Sequence, residues 1–192
     1  MRFDLQPGDA ALLVDVQKDF CPGGALAVAE GDRIVPILNE LIDDATQAGV
    51  PIFASRDWHP IGHISFAERG GPWPTHCIQD TPGAEFHDDL DLPGNAVIIS
   101  KGANLERDSY SAFDSTGLAE RLRREEISRI WVGGLALDVC VRATVLDAVK
   151  EGFETHLIQS ATRPVEQHPG DGERAVAEMR DAGAIIEEES AS

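Results

Sequence analysis

Asp57, His59, His63 and His76 set four groups able to ligate a divalent cation within twenty residues. Asp57 and His59 are two apart, so an extended backbone points both side chains the same way. His76 completes three protein ligands and leaves positions open for water or substrate. His63 fits either as a fourth ligand or as a group supporting one. Mixed nitrogen and oxygen ligation suits one divalent metal ion, zinc first, with iron or manganese as alternatives. A closed structural zinc site that recruits Cys77 is the competing arrangement, weakened because adjacent His76 and Cys77 tend to point apart.

A second set of residues has nucleophilic chemistry. Asp15, Lys101 and Cys140 each follow an apolar run of strand length. A thiolate attacks a carbonyl, a nearby carboxylate takes the thiol proton and passes it to a leaving amine, and an ammonium favours both anions. Cys140 opens a helical pattern, where the helix dipole and nearby cations favour a thiolate. Gly133-Gly134-Leu135-Ala136 just before it offers backbone N–H groups to an oxyanion, worth roughly 3–4 kcal/mol per donor. Each residue also has a plainer reading. Asp15 suits a turn or helix cap, Lys101 a solvated surface, and Cys140 a small buried hydrophobe. His87, His156 and His168 read as ordinary.

The elements that must position these groups are legible as alternating patterns. Apolar runs at Ala10–Val16, Val50–Ala54, Ala96–Ile99, Ile130–Val132 and Phe153–Ile158 suit strands buried on both faces. Between them, Ile34, Leu38, Leu41, Ile42 and Ala45 recur at helical spacing and stop near Gly49. Leu118 with Leu122, and Val141, Val145, Ala148 and Val149, repeat the theme. A last helix over about Glu173–Ala182 stops at Gly183 and leads into Ala184-Ile185-Ile186. This alternation predicts an α/β protein: a doubly wound parallel sheet, three layers α/β/α, in a single domain over residues 1–192. Ligands of such sheets bind beyond the carboxyl ends of the strands. Asp15, Asp57 with His59, Lys101 and Cys140 are all expected there. Residues 56–95 are rich in proline and glycine, and so long a connection is usually functional. Neither G-x-G-x-x-G nor a P-loop occurs, so a dinucleotide or nucleoside triphosphate is not indicated.

Composition narrows the partners. The formal net charge is −18, which argues against nucleic acid. No apolar run reaches the roughly 20 residues that span a bilayer, and the N-terminal residues lack the apolar core of a signal peptide. Three cysteines, Cys21, Cys77 and Cys140, form no spaced framework and suit a reducing, cytoplasmic compartment. There are three lysines, Lys18, Lys101 and Lys150, against thirteen arginines. With dispersed acids, this suggests a surface adapted to high salt. The oligomeric state stays open, a homo-oligomer included.

Five stretches carry a family resemblance: LLVDVQKDFCPGGALAV, SRDWHPIGHISFAERGGPWPTHCIQDTPGAEFH, VIISKG, YSAF and GLALDVCVRATVLDA. They run in order over about residues 10–162, and together they resemble the nicotinamidase branch of the isochorismatase-like cysteine hydrolases. The resemblance implies a catalytic triad of Asp15, Lys101 and Cys140. It implies metal ligands at Asp57, His59 and His76, with His63 as an additional or water-mediated contact. It implies a cis peptide at Leu135-Ala136, with the Ala136 and Cys140 amides as the oxyanion hole. Phe20 and Trp73 would flank the substrate ring, with Tyr110 nearby. The implied reaction is hydrolysis of nicotinamide to nicotinate and ammonia through a thioester on Cys140, with the metal binding the pyridine nitrogen. An isochorismatase needs no metal site. An N-carbamoylsarcosine-type amidase lacks the Asp-x-His…His set. A non-catalytic metal-binding module leaves Asp15, Lys101 and Cys140 unexplained.

Overall fold

The computed structural model describes residues 3–187. Met1, Arg2 and residues 188–192, with Glu188 and Glu189 of the acidic run, lie outside the described residues. Six strands form one parallel sheet: β1 (Asp9–Val14), β2 (Ile52–Asp57), β3 (Val97–Lys101), β4 (Arg129–Leu135), β5 (Glu154–Arg163) and β6 (Ile185–Glu187). Their order across the sheet is β3-β2-β1-β4-β5-β6. The chain therefore winds outward from β1 in one direction, then in the other. The reversal lies between β1 and β4, where a crevice opens beyond the strand ends.

All six residues of β1 are buried, which is why it reads as a continuous apolar run. Its pleat divides them between two cores. Ala11 and Leu13 pack in the cluster that includes Leu38, Leu41, Ile42 and Ala45 of α1 (Val35–Ala48). Ala10, Leu12 and Val14 face the other core, with Leu122 of α2 (Leu118–Arg124), Val145 of α3 (Arg142–Lys150) and Met179 of α4 (Asp171–Ala182). This is a three-layer α/β/α arrangement. Each fully buried Leu or Ile contributes roughly 1.5–3 kcal/mol of hydrophobic stabilisation.

Two boundaries differ from the sequence expectation in ways that matter for the site. β2 continues past the apolar run through Ser55 and Arg56 to Asp57, and β4 continues through Gly133 and Gly134 to Leu135. Polar residues and glycines carry no apolar signal, yet their backbones stay in the ladder. Gly134 is required there: its φ is 133°, and a Cβ would lie 2.0 Å from the Val14 carbonyl oxygen.

Candidate active site

The strand ends deliver the site. β1 stops at Val14, and Asp15 turns away with φ 49°, a left-handed conformation that Asp tolerates better than most residues. Its Oδ1 accepts from Ser55 Oγ at 2.7 Å. Lys101 ends β3 and is 2% exposed. Its ammonium lies 2.8 Å from Asp15 Oδ2, donates to Cys140 Sγ at 3.4 Å, and pairs with Oδ1 of Asp57.

Cys140 sits in a single π turn, Leu137–Val141, ahead of α3 rather than in the first turn of the helix. The peptide between Leu135 and Ala136 is cis. The Ala136 carbonyl accepts from Val139 N at 3.1 Å and Val141 N at 3.0 Å, which fixes the turn that presents the thiol.

Burial sets the charge states. Burial raises Cys140 well above the usual thiol value; Lys101 opposes this, while Asp15 and Asp57 add to it. Burial also raises Asp15, against the pull of Lys101 and with a push from Asp57. Burial works against the Lys101 ammonium, but Asp15, Asp57 and Cys140 outweigh it and hold Lys101 well above its usual value. Burial and the two carboxylates thus favour the neutral thiol of Cys140 over its thiolate. The direction is opposite to the helix-stabilised thiolate expected from sequence, because burial and the two carboxylates outweigh the Lys101 ammonium.

Asp57, His59 and His76 offer ligand atoms within 4.8 Å of one another, and all three residues are buried. His59 Nδ1 bonds the Gly102 carbonyl at 3.0 Å, and His76 Nδ1 bonds the Pro74 carbonyl at 2.7 Å. Those bonds put the protons on Nδ1 and turn both Nε2 lone pairs inward. His59 Nε2 is buried with no hydrogen-bond partner. The Nε2 atoms of His59 and His76 lie 3.6 and 3.8 Å from Asp57 Oδ2. An unsatisfied imidazole nitrogen, a second imidazole and a carboxylate oxygen facing one point fit a divalent cation. For Asp57, burial raises the carboxyl, but Lys101 and the two imidazoles hold it well below the usual carboxylate range. Asp15, Asp57 and Cys140 also lie close together, but the Lys101 ammonium occupies that space.

His63 has both ring nitrogens engaged by protein groups. Its Nδ1 is paired with Ser65 Oγ at 2.7 Å and its Nε2 with the Arg107 carbonyl at 3.1 Å, and its ring stacks on His59 at 4.2 Å. Burial and the neighbouring His59 lower its basicity. Phe66, fully buried, packs against His59, His63 and His76 at 5.5, 5.8 and 5.6 Å. Gly102, with φ 64°, lets the chain pass under His59; a Cβ there would lie 2.4 Å from the ring.

Both clusters open into one pocket. Phe20, Trp73, Tyr110, Ala136 and Cys140 line it with Asp57, His59 and His76. Trp73 Nε1 donates to the Tyr110 hydroxyl at 3.1 Å, and Phe20 packs on His76 at 5.5 Å. Sequence reasoning missed Ser109, whose hydroxyl is buried and unpartnered at the pocket wall, and Leu26, Val139 and Val165, which complete the apolar lining.

Residues 9–189 match the profile of the isochorismatase domain. The chain belongs to the isochorismatase family. Within this family, the nicotinamidase of Escherichia coli (strain K12) is 42% identical over 201 residues, covering 94% of each chain. The crystal structure of the pyrazinamidase of Pyrococcus horikoshii in complex with zinc superposes with a TM-score of 0.91 at 50% identity, covering 95% of this chain and 99% of that one. PnC1 from L. infantum, in complex with nicotinate, superposes with a TM-score of 0.88 at 35% identity, covering 98% and 96%. The isochorismatase-family fold expected from the five stretches is the fold observed.

Proposed function

We propose that this protein is a nicotinamidase that hydrolyses nicotinamide to nicotinate and ammonia. The observation that carries the reading is the pairing of Lys101 with Asp57, which joins a nucleophilic cluster and a metal-binding cluster in one aromatic-lined pocket. Nicotinamidases among its relatives, and a nicotinate-bound structure among its neighbours, support the substrate.

In this reading Asp15 Oδ2 takes the Cys140 proton as Sγ attacks the carboxamide carbon. Backbone N–H groups of Ala136 and Cys140 receive the oxyanion. Asp15 returns the proton to the amide nitrogen, the C–N bond breaks, and ammonia leaves with Cys140 held as a thioester. Asp15 then takes a proton from water as its oxygen attacks the thioester. Nicotinate departs and the thiol is restored. Lys101 keeps its charge throughout and steadies the anionic partners. Phe20 and Trp73 hold the ring. Asp57, His59 and His76 would hold a divalent ion, zinc as in the Pyrococcus horikoshii structure, which supplies a Lewis-acid contact to a ring nitrogen when bound.

A single isochorismatase-like domain that works in the cytoplasm fits three buried free thiols. The test is ammonia release from nicotinamide with and without a chelator. Turnover that is lost on chelation and restored by zinc supports the reading. No ammonia from nicotinamide under any metal condition would remove it in favour of an N-carbamoylsarcosine-type amidase or an isochorismatase.

A further inference from the structure

The sheet has a missing partner beside Asp57. The last β1–β2 pair is Val14 with Ser55, and Asp15 N donates to the Ser55 carbonyl at 3.1 Å. There the chains part. Asp15 has turned to positive φ, and its carbonyl accepts from Gln17 N at 2.8 Å. On its other side Asp57 is still in register with Lys101 of β3. Toward β1, the Asp57 backbone has lost its strand neighbour while remaining buried, and its N–H and C=O need other partners.

Gln17 supplies both with its side chain. Its Oε1 accepts from Asp57 N at 2.8 Å, and its Nε2 donates to the Asp57 carbonyl at 2.8 Å. The second Nε2 hydrogen goes to the Ala84 carbonyl at 2.9 Å. Gln17 is 0% exposed. Its carboxamide therefore occupies the ladder as one peptide unit would, with one acceptor and one donor turned to the same residue. No other side chain fits as well. Asn is one methylene short, and Glu sets a carboxylate against two carbonyl oxygens.

The residue so held has a divided task. Oδ1 of Asp57 faces Lys101, while Oδ2 faces the two imidazole Nε2 atoms. A carboxylate committed on both oxygens tolerates little movement of the backbone that carries it. We propose that Gln17 is the positioning residue of the metal site, and that its carboxamide, by replacing the missing strand, sets the affinity for the cation. The inference rests on the reading of Asp57, His59 and His76 as the metal ligands.

The test is zinc affinity by chelator competition on the whole protein, for wild type, Gln17→Glu and Gln17→Met, with thermal melts alongside. Asp9→Asn is the control. Asp9 begins β1 at the opposite end of the sheet, so this change lowers stability without touching the site. Both Gln17 variants are expected to bind zinc about 10–100-fold more weakly, the usual effect of losing a group that orients a ligand. Asp9→Asn should stay within about threefold of wild type despite its lower Tm. The proposal is overturned if the Gln17 variants keep wild-type zinc affinity, or if affinity tracks Tm equally in all three. Failure of both Gln17 variants to fold would also overturn it, since a positioning role requires that the fold stand without it. A wild type that binds no zinc would instead sink the reading of the metal ligands.

Discussion

Oδ1 of Asp57 accepts from the ammonium of Lys101, and that contact makes the Asp57–His59–His76 cluster and the thiol cluster one electrostatic unit. At an effective dielectric near 20, unit charges about 4 Å apart interact by about 4 kcal/mol. Neither cluster can then change charge without the other responding. Lys101→Met should leave Asp15 and Asp57 facing each other without a cation. A loss of about 3–5 kcal/mol in urea unfolding is expected, with turnover abolished. A stable, active methionine variant would show that the ammonium is not required.

Cys140→Ala should lower ammonia release by at least about 10³-fold, because the thiol supplies the covalent step. Nicotinamide should still bind, since Phe20, Trp73, Asp57, His59 and His76 are untouched. Calorimetry on the variant measures the second half of this expectation. Substantial amidase activity in the alanine variant would exclude the thioester route.

Asp57→Ala and His76→Ala should each lose metal affinity by at least about 100-fold, more than the loss of an orienting partner. Elemental analysis of the purified variants decides this. Full occupancy in both would take these residues off the ligand list.

Asp9 offers a pH dependence with a definite sign. It accepts from Arg129 Nε at 2.7 Å and Nη2 at 2.6 Å, from Gln6 N at 2.9 Å and from Trp131 Nε1 at 3.3 Å. Burial raises its carboxyl, but these donors outweigh that and leave it below the ordinary value. A depressed carboxyl stabilises the fold above its unfolded value, near 3.9, and loses that contribution as pH falls through the folded value. Asp9→Asn should therefore cost about 1.5–3 kcal/mol at neutral pH. The gap to wild type should close below about pH 4. Urea unfolding of both proteins from neutral to acid pH measures it, and a gap that widens in acid would contradict the assignment.

Salt should matter as well. A formal charge of −18 with few lysines predicts a fold that gains stability as salt rises. Repulsion among surface carboxylates is largely screened once the Debye length falls to about 3 Å near 1 M. Thermal melts from dilute buffer to molar salt test this. A Tm that is flat, or highest in dilute buffer, would end the high-salt reading and leave the chemistry unaffected.

Much of this molecule is legible before folding. Strands buried on both faces announce themselves as apolar runs, and β1, with all six residues buried, is the clearest. Asp57, His59 and His76 stand out because ligating side chains are rare in such a cluster. What escapes notice acts across long sequence separations. Gln17 reaches Asp57 across 40 residues, Ser55 reaches back to Asp15 across 40, and Phe66 supports three imidazoles. Glutamine, serine and a single phenylalanine carry no local pattern, so only the fold reveals them. The resting state of Cys140 was also out of reach, since it depends on burial beside Asp15 and Asp57.

Gly102 holds His59 twice over: its carbonyl fixes the Nδ1 proton, and its missing side chain leaves room for the ring. A side chain at this position would strain a backbone held at φ 64° and press on the imidazole at the same moment, so even one added methyl group would reach the pocket through the ring it displaces.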